Sequence, residues 1–106
     1  QNFKNVTFTE SVAEAVKDSD LISTDVWISM GDETESEQRI KAFENYQVNE
    51  NTLDQANSDV MFLHCLPAIK GQEISTTLLD DQRSRVWRQA ENRLHAQKGL
   101  LIELLN

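Results

Sequence analysis

The chain has 106 residues, and its 10 lysines and arginines stand against 18 aspartates and glutamates, giving a formal net charge of −8. This acidity argues against binding to nucleic acids or to anionic membranes, because both partners attract basic surfaces. A single cysteine, Cys65, excludes an internal disulfide, and without a membrane-length apolar run or a signal-peptide pattern we expect one soluble, cytoplasmic domain.

The first half of the chain predicts two strands and two helices. Asn5–Thr9 alternates apolar and polar residues and is rich in β-formers, which predicts a short strand. Thr9 then caps a helix over residues 9–17, and Leu21–Ile28 predicts a second strand. A T-x-x-E capping box at residues 34–37 opens a helix that ends near Phe43.

The second half predicts a buried strand and a long final helix. Asn49 caps a helix over residues 49–56, and the apolar run Val60–Leu63 predicts a strand buried on both faces. Pro67 ends that ladder, and Ser75 is expected to cap a short helical turn. Residues 89–105 are predicted to form a helix. An apolar stripe begins just before this helix and runs along it, and its residues are expected to pack: Trp87, Ala90, Leu94, Leu101 and Leu105.

Strands that alternate with helices predict an α/β fold with a parallel sheet. Ligands bind such sheets at the carboxyl ends of the strands. That rule selects two segments here, Asp25–Gly31 and His64–Gly71.

The first segment combines a carboxylate with a flexible loop. Asp25 lies in an otherwise apolar strand, where burial is costly unless the charge is paired. It either accepts backbone N–H groups at the strand end or, with Ser29 and Met30, binds the ammonium group of an amino acid. The acids of residues 32–37 complement the dipole at a helix N-terminus and are assigned no catalysis.

The second segment places a histidine beside a cysteine. An imidazole-assisted thiolate is one interpretation of His64 and Cys65, but neighbours on extended chain point to opposite sides. A buried structural thiol is the second interpretation, and a zinc site with His95 is a third. Arg93, in the last helix, either holds a carbonyl or phosphate oxygen or pairs with Glu91 at the surface.

Three blocks, in this order, carry a resemblance to a known family. They are Asp25-Val-Trp-Ile-Ser29-Met30-Gly31, His64-Cys65-Leu66-Pro67-Ala68 and Gln89-Ala-Glu-Asn-Arg93-Leu-His-Ala-Gln-Lys98. From about Val6 to its end, the chain resembles the carboxyl-terminal part of the ornithine carbamoyltransferases. The Ser-Met-Gly block favours these enzymes over aspartate and putrescine carbamoyltransferases.

The resemblance implies a reaction and a fold. A primary amine of L-ornithine attacks the carbamoyl carbon of carbamoyl phosphate, giving citrulline and phosphate through a tetrahedral intermediate, with no cofactor or metal. It also implies a partial Rossmann-like parallel sheet flanked by helices. Residues 1–86 would form part of the ornithine-binding domain, and residues 87–106 a helix that packs on a carbamoyl-phosphate-binding domain.

The resemblance assigns substrate contacts to particular residues. Asp25 contacts the α-amino group of ornithine, and Ser29 and Met30 belong to a loop that closes over it. Cys65 lies beside both substrates, associated with Asp25 in ligand binding. Besides Cys65, the backbone carbonyl of Leu66 and the guanidinium of Arg93 bind carbamoyl phosphate. The catalytic residues that the resemblance implies are Asp25, Cys65 and Arg93. A positioning role falls to His64 and Pro67.

The sequence also departs from the family pattern. Ile69-Lys70 stands where many members have His-Arg or Glu-Arg, which removes a planar guanidinium. The family's Ser-x-Arg-Thr-Arg and His-Pro-x-Gln blocks do not occur. We therefore expect a fragment that is inactive alone, that self-associates through its final helix, and whose parent enzyme forms a trimer-based homo-oligomer. The alternatives are a non-catalytic α/β binding or folding module and a carbamoyltransferase for a modified ornithine.

Overall fold

A computed structural model describes residues 4–28 and 36–106. In chain order, helix α1 (Val12–Val16) is followed by strand β1 (Leu21–Thr24), helices α2 (Ser36–Phe43) and α3 (Glu50–Asp54), strand β2 (Met61–His64) and helix α4 (Val86–Leu105). Short 3₁₀ turns lie at Glu44–Tyr46 and Leu78–Asp80. In the two described ranges, no helix combines the length and the apolar character needed to cross a membrane.

The sheet is parallel, as the alternation of strands and helices predicts. β1 pairs with β2 in a register that places Leu21 opposite Met61 and Thr24 opposite His64. The other edge of β2 is lined by extended chain before α4, where Phe62 donates its N–H to the carbonyl of Arg83 (3.0 Å) and accepts the N–H of Arg85 (2.9 Å). The α/β class is therefore confirmed, with the carboxyl ends of both strands at one edge.

The core lies on one face of this sheet. Phe62 is fully buried, and the other fully or almost fully buried apolar residues are Leu53, Val60, Ile74, Leu78 and Val86. The expectation that β2 is buried on both faces is wrong. Met61 is 42% exposed, because side chains alternate along a strand and the described core covers only the face that carries Phe62 and His64.

Several element boundaries differ from the predictions. Asn5–Thr9 is not a strand, since its alternating residues pair with no strand among the described residues. β1 ends at Thr24 rather than Ile28, before the chain turns at Asp25. Ser11, not Thr9, caps α1 by accepting the N–H of Glu14.

Two predicted caps have opposite outcomes. Asn49 caps α3 as predicted, and it does so in a reciprocal capping box with Thr52. Ser75 caps nothing, because its hydroxyl donates to the Glu50 carboxylate instead, at 2.9 Å. The box proposed at residues 34–37 includes Thr34, which lies outside the described residues, and α2 ends at Phe43 as expected.

The final helix begins one turn earlier than predicted, at Val86, and ends at Leu105. Val86 is buried, but the helix projects away from the described core along most of its length. Trp87 is 60% exposed and Leu94 is 67% exposed. Every residue from 90 to 106 is exposed, and none of them reaches the core. The apolar stripe therefore has no cover within the described part of the chain.

Candidate functional site

The two strand ends bring Asp25 and Cys65 together. Each is the residue directly after its strand, and the register that pairs Thr24 with His64 places the next two residues side by side. Both side chains are exposed at the surface. The Asp25 carboxylate also accepts the N–H of Val26 at 2.7 Å, as the strand-end interpretation expects.

The contact between these two side chains shifts the pKa of each group further from pH 7. The Cys65 thiol is the largest of the influences that lower the pKa of Asp25, followed by the N–H of Val26. In return, the hydrogen bond to Asp25 raises the pKa of the Cys65 thiol, as do desolvation and the carboxylate's charge. The pair is thus a carboxylate and a neutral thiol at pH 7, which disfavours a thiolate nucleophile.

His64 points the other way, into the core. Its Nε2 lies 3.0 Å from Oε1 of Glu73, and both side chains are fully buried. Because its Nδ1 accepts the N–H of Leu66 at 2.9 Å, the ring proton sits on Nε2 and is donated to Glu73. The ring is therefore unavailable to activate Cys65, and the imidazole-assisted thiolate is wrong.

These bonds hold the loop that follows β2. Leu66 adopts a left-handed backbone with φ of 57°, which is unfavourable for a leucine, and its bond to Pro67 is cis. The Glu73 carboxylate also accepts the N–H of Ile69 at 2.7 Å. His64 and Glu73 thus fix both ends of the turn that carries Cys65 and Leu66.

Neither a buried thiol nor a zinc site is supported. Cys65 is exposed, and in residues 4–28 and 36–106 no group of three potential metal ligands occurs. Both ring nitrogens of His64 are engaged in the core, whereas His95 is exposed on α4.

Arg93 lies exposed on α4, two turns beyond Val86. The surface pairing with Glu91 is not seen, since that carboxylate contacts His95 at 3.4 Å. The structure does not place Arg93 in hydrogen-bond contact with Asp25 or Cys65. Ser29 and Met30 lie outside the described residues.

Two residues of this region escaped the sequence prediction, Glu73 and Gln89. Glu73 is nine positions from His64, a spacing that no local rule connects. Gln89 accepts the N–H of His64 through Oε1 at 3.0 Å and thereby ties α4 to the end of β2. The one sequence signal for Gln89 is that it opens the third block of the family resemblance, residues 89–98. Lys70, at the departure from the family pattern, lies 3.8 Å from the exposed carboxylate of Asp80.

Comparison with known proteins decides the family. The model of the aspartate/ornithine carbamoyltransferase Asp/Orn-binding domain matches residues 1–104. The chain belongs to this family. A curated ornithine carbamoyltransferase of Psychrobacter cryohalolentis is 58% identical over 100 residues, which are 94% of this chain and 33% of that protein.

Solved structures agree with this membership. An ornithine carbamoyltransferase from Pyrococcus furiosus superposes with a TM-score of 0.77 at 53% identity, covering 85% of this chain and 29% of that one. An anabolic ornithine carbamoyltransferase from Campylobacter jejuni gives 0.81 at 41% identity, covering 89% and 31%. The chain therefore spans about a third of the length of these relatives.

Proposed function

We propose that this chain is the ornithine-binding part of an ornithine carbamoyltransferase, which moves the carbamoyl group of carbamoyl phosphate to the side-chain amine of L-ornithine. The observation that carries the proposal is the pairing of Asp25 with Cys65 at the carboxyl ends of two parallel strands, in a chain of this family. The products are citrulline and phosphate, as in arginine metabolism.

Ornithine has two amino groups, and the Asp25 carboxylate at the strand ends suits the α-amino group, which stays charged during the reaction. Asp25 is exposed and its pKa is lowered chiefly by the Cys65 thiol, so it presents a carboxylate at neutral pH to the α-ammonium group. Ser29 and Met30 complete the ornithine contact in this proposal. The net charge of −8 also favours the approach of a cationic amino acid.

The reacting amine attacks without covalent help from the protein. The side-chain ammonium group of ornithine first loses a proton to solvent, and the lone pair of the neutral amine then forms the new C–N bond at the carbamoyl carbon. As the tetrahedral intermediate collapses, the C–O bond to phosphate breaks and the departing phosphate takes up the second proton that the nitrogen releases. The Leu66 carbonyl accepts from the carbamoyl amide, and Arg93 stabilises the oxygen on which negative charge develops. Cys65 supplies a neutral thiol beside the site, and His64 and Pro67 position the loop.

The chain forms one part of a larger enzyme in this proposal. Residues 1–86 form part of the ornithine-binding domain, and the α4 segment 87–106 packs on a carbamoyl-phosphate-binding domain. The exposure of Trp87 and Leu94 supports such a cover for α4. We place the enzyme in the cytoplasm as a trimer-based homo-oligomer, working without cofactor or metal. This chain alone is inactive because phosphate binding requires the other domain.

A non-catalytic binding module is the second candidate. It is supported by the length of the chain, which covers about a third of its relatives. Titration separates the two. Ornithine or a bisubstrate analogue is titrated calorimetrically into the chain, with and without the complementary amino-terminal part of the Pyrococcus furiosus enzyme. We expect tight analogue binding only in the combined sample, and its loss with Asp25→Asn. Equal binding curves for the two samples would contradict the proposal and favour the module.

A further inference from the structure

The geometry points to Gln89 as a positioning residue that couples the loop after β2 to the helix that carries Arg93. This inference rests on the proposed function, because it acts through the contact assigned to Arg93. It concerns a side chain to which neither the resemblance nor the proposed mechanism gives a role.

The backbone pattern of β2 explains why a side chain is needed at this point. Donors alternate along the strand, so that Met61 donates its N–H to Asp20 (2.9 Å) on the β1 side, while Phe62 donates to Arg83 (3.0 Å) on the other. By the same alternation, the N–H of His64 faces the side of residues 83–85. There the extended chain has already turned into α4, so no backbone carbonyl continues the ladder.

Gln89 supplies the missing acceptor. Its Oε1 accepts the N–H of His64 at 3.0 Å, from the first turn of α4, where its own N–H is bonded to the Arg85 carbonyl at 2.8 Å. The amide thus extends the ladder by one bond through a side chain. This bond fixes the rotation and the axial position of α4 relative to His64, the residue before Cys65.

Arg93 follows Gln89 by four residues on the same helix. Side chains at this spacing lie on the same face, about 6 Å apart along the axis. Rotation of α4 about its axis would therefore move the Arg93 guanidinium relative to the Leu66 carbonyl. Because His64 also accepts the N–H of Leu66 through Nδ1 (2.9 Å), one residue ties both carbamoyl-contacting groups together.

The test uses a chimera in which this chain replaces the matching third of the Pyrococcus furiosus enzyme, so that the complementary domain is present. Gln89→Met keeps the side-chain length without the acceptor, and Gln89→Glu keeps the acceptor. We expect Gln89→Met to lower kcat roughly 10- to 100-fold with a smaller change in the KM for ornithine, as displacement of a charge-stabilising group does. Gln89→Glu should keep most of the parent's kcat, and Gln82→Ala, at an exposed glutamine that precedes α4, should match the parent.

A double-mutant cycle with Arg93→Ala tests whether Gln89 acts through Arg93. We expect Gln89→Met to have little further effect once Arg93 is removed, and the His64-containing peptide to exchange its amide hydrogens faster in Gln89→Met than in the parent. Additive losses, or unchanged kcat in Gln89→Met with an active parent, would overturn the positioning role alone. A parent chimera that binds the bisubstrate analogue no better than the separated chain would overturn the proposed function and this inference with it.

Discussion

Asp25 and Cys65 stand next to each other as the first residues beyond two paired parallel strands, and each shifts the titration of the other. The arrangement follows from register, because Thr24 and His64 are partners in the ladder. It produces a surface where an anionic carboxylate and a protonated thiol coexist at neutral pH. The rate at which the Cys65 thiol is alkylated therefore reports on its contact with Asp25.

Alkylation of Cys65 should be slow at pH 8. The neighbouring carboxylate raises the thiol's pKa, so the thiolate fraction at a given pH falls below that of an ordinary cysteine. Asp25→Asn removes the charge and should shift the pH profile of iodoacetamide modification to lower pH, with faster labelling at pH 8. Since the chain has one cysteine, the label reports a single site. Asp59→Asn, at an exposed turn, is the matched control, and equal profiles for all three proteins would show that the two groups do not interact.

Glu73 should be a major determinant of stability. Its Oε1 accepts from the buried ring of His64 and from the part-buried N–H of Ile69, and Glu73→Ala would leave both donors without an acceptor. We expect a loss of about 3 kcal/mol in the free energy of unfolding for Glu73→Ala, and about 1 kcal/mol for Glu73→Gln, which keeps the accepting oxygen. Urea unfolding measures both. Equal losses in the two variants would contradict the dependence on that oxygen.

The capping box of α3 should make a smaller contribution. The Asn49 side chain accepts the N–H of Thr52 at 3.0 Å, and the Thr52 hydroxyl oxygen accepts the N–H of Asn49. Asn49→Ala should cost about 1 kcal/mol of unfolding free energy, whereas Asn51→Ala, exposed within the same helix, should cost much less. The comparison is made by thermal unfolding, and a larger loss at Asn51 would argue against the cap.

The exposed apolar side chains of α4 should make the chain self-associate. Leu101 is 56% exposed and Leu105 82%, one turn apart on a helix that the described core does not cover. Sedimentation velocity should show concentration-dependent oligomers that Leu101→Gln combined with Leu105→Gln reduces. Lys98→Gln, which changes a neighbouring exposed position without removing apolar area, should behave as the parent. A monomer at every concentration would contradict the prediction.

Sequence patterns predicted the parallel pairing of the two strands and one helix cap, but not the other caps or the one-sided burial of β2. The cap at Asn49 and the parallel pairing of β1 with β2 follow from residue type and spacing. The substrate contacts of Asp25 and Cys65 rest on the family resemblance and stay predictions. Pairing over long sequence distances was not predictable, as with Glu73, whose partner His64 is determined by the path of the loop between them. Asn5–Thr9 failed as a strand for a related reason, since alternation indicates a tendency that only a neighbouring strand can satisfy.

Citrulline formation by the chimera is the decisive measurement for the proposed carbamoyl transfer to ornithine. The assay supplies carbamoyl phosphate with ornithine, putrescine or aspartate in turn and quantifies the carbamoylated product. We expect citrulline from ornithine, little product from the other two amines, and a strong loss of kcat with Arg93→Ala. A folded chimera that forms no citrulline, or that prefers putrescine or aspartate, would contradict the proposed transfer.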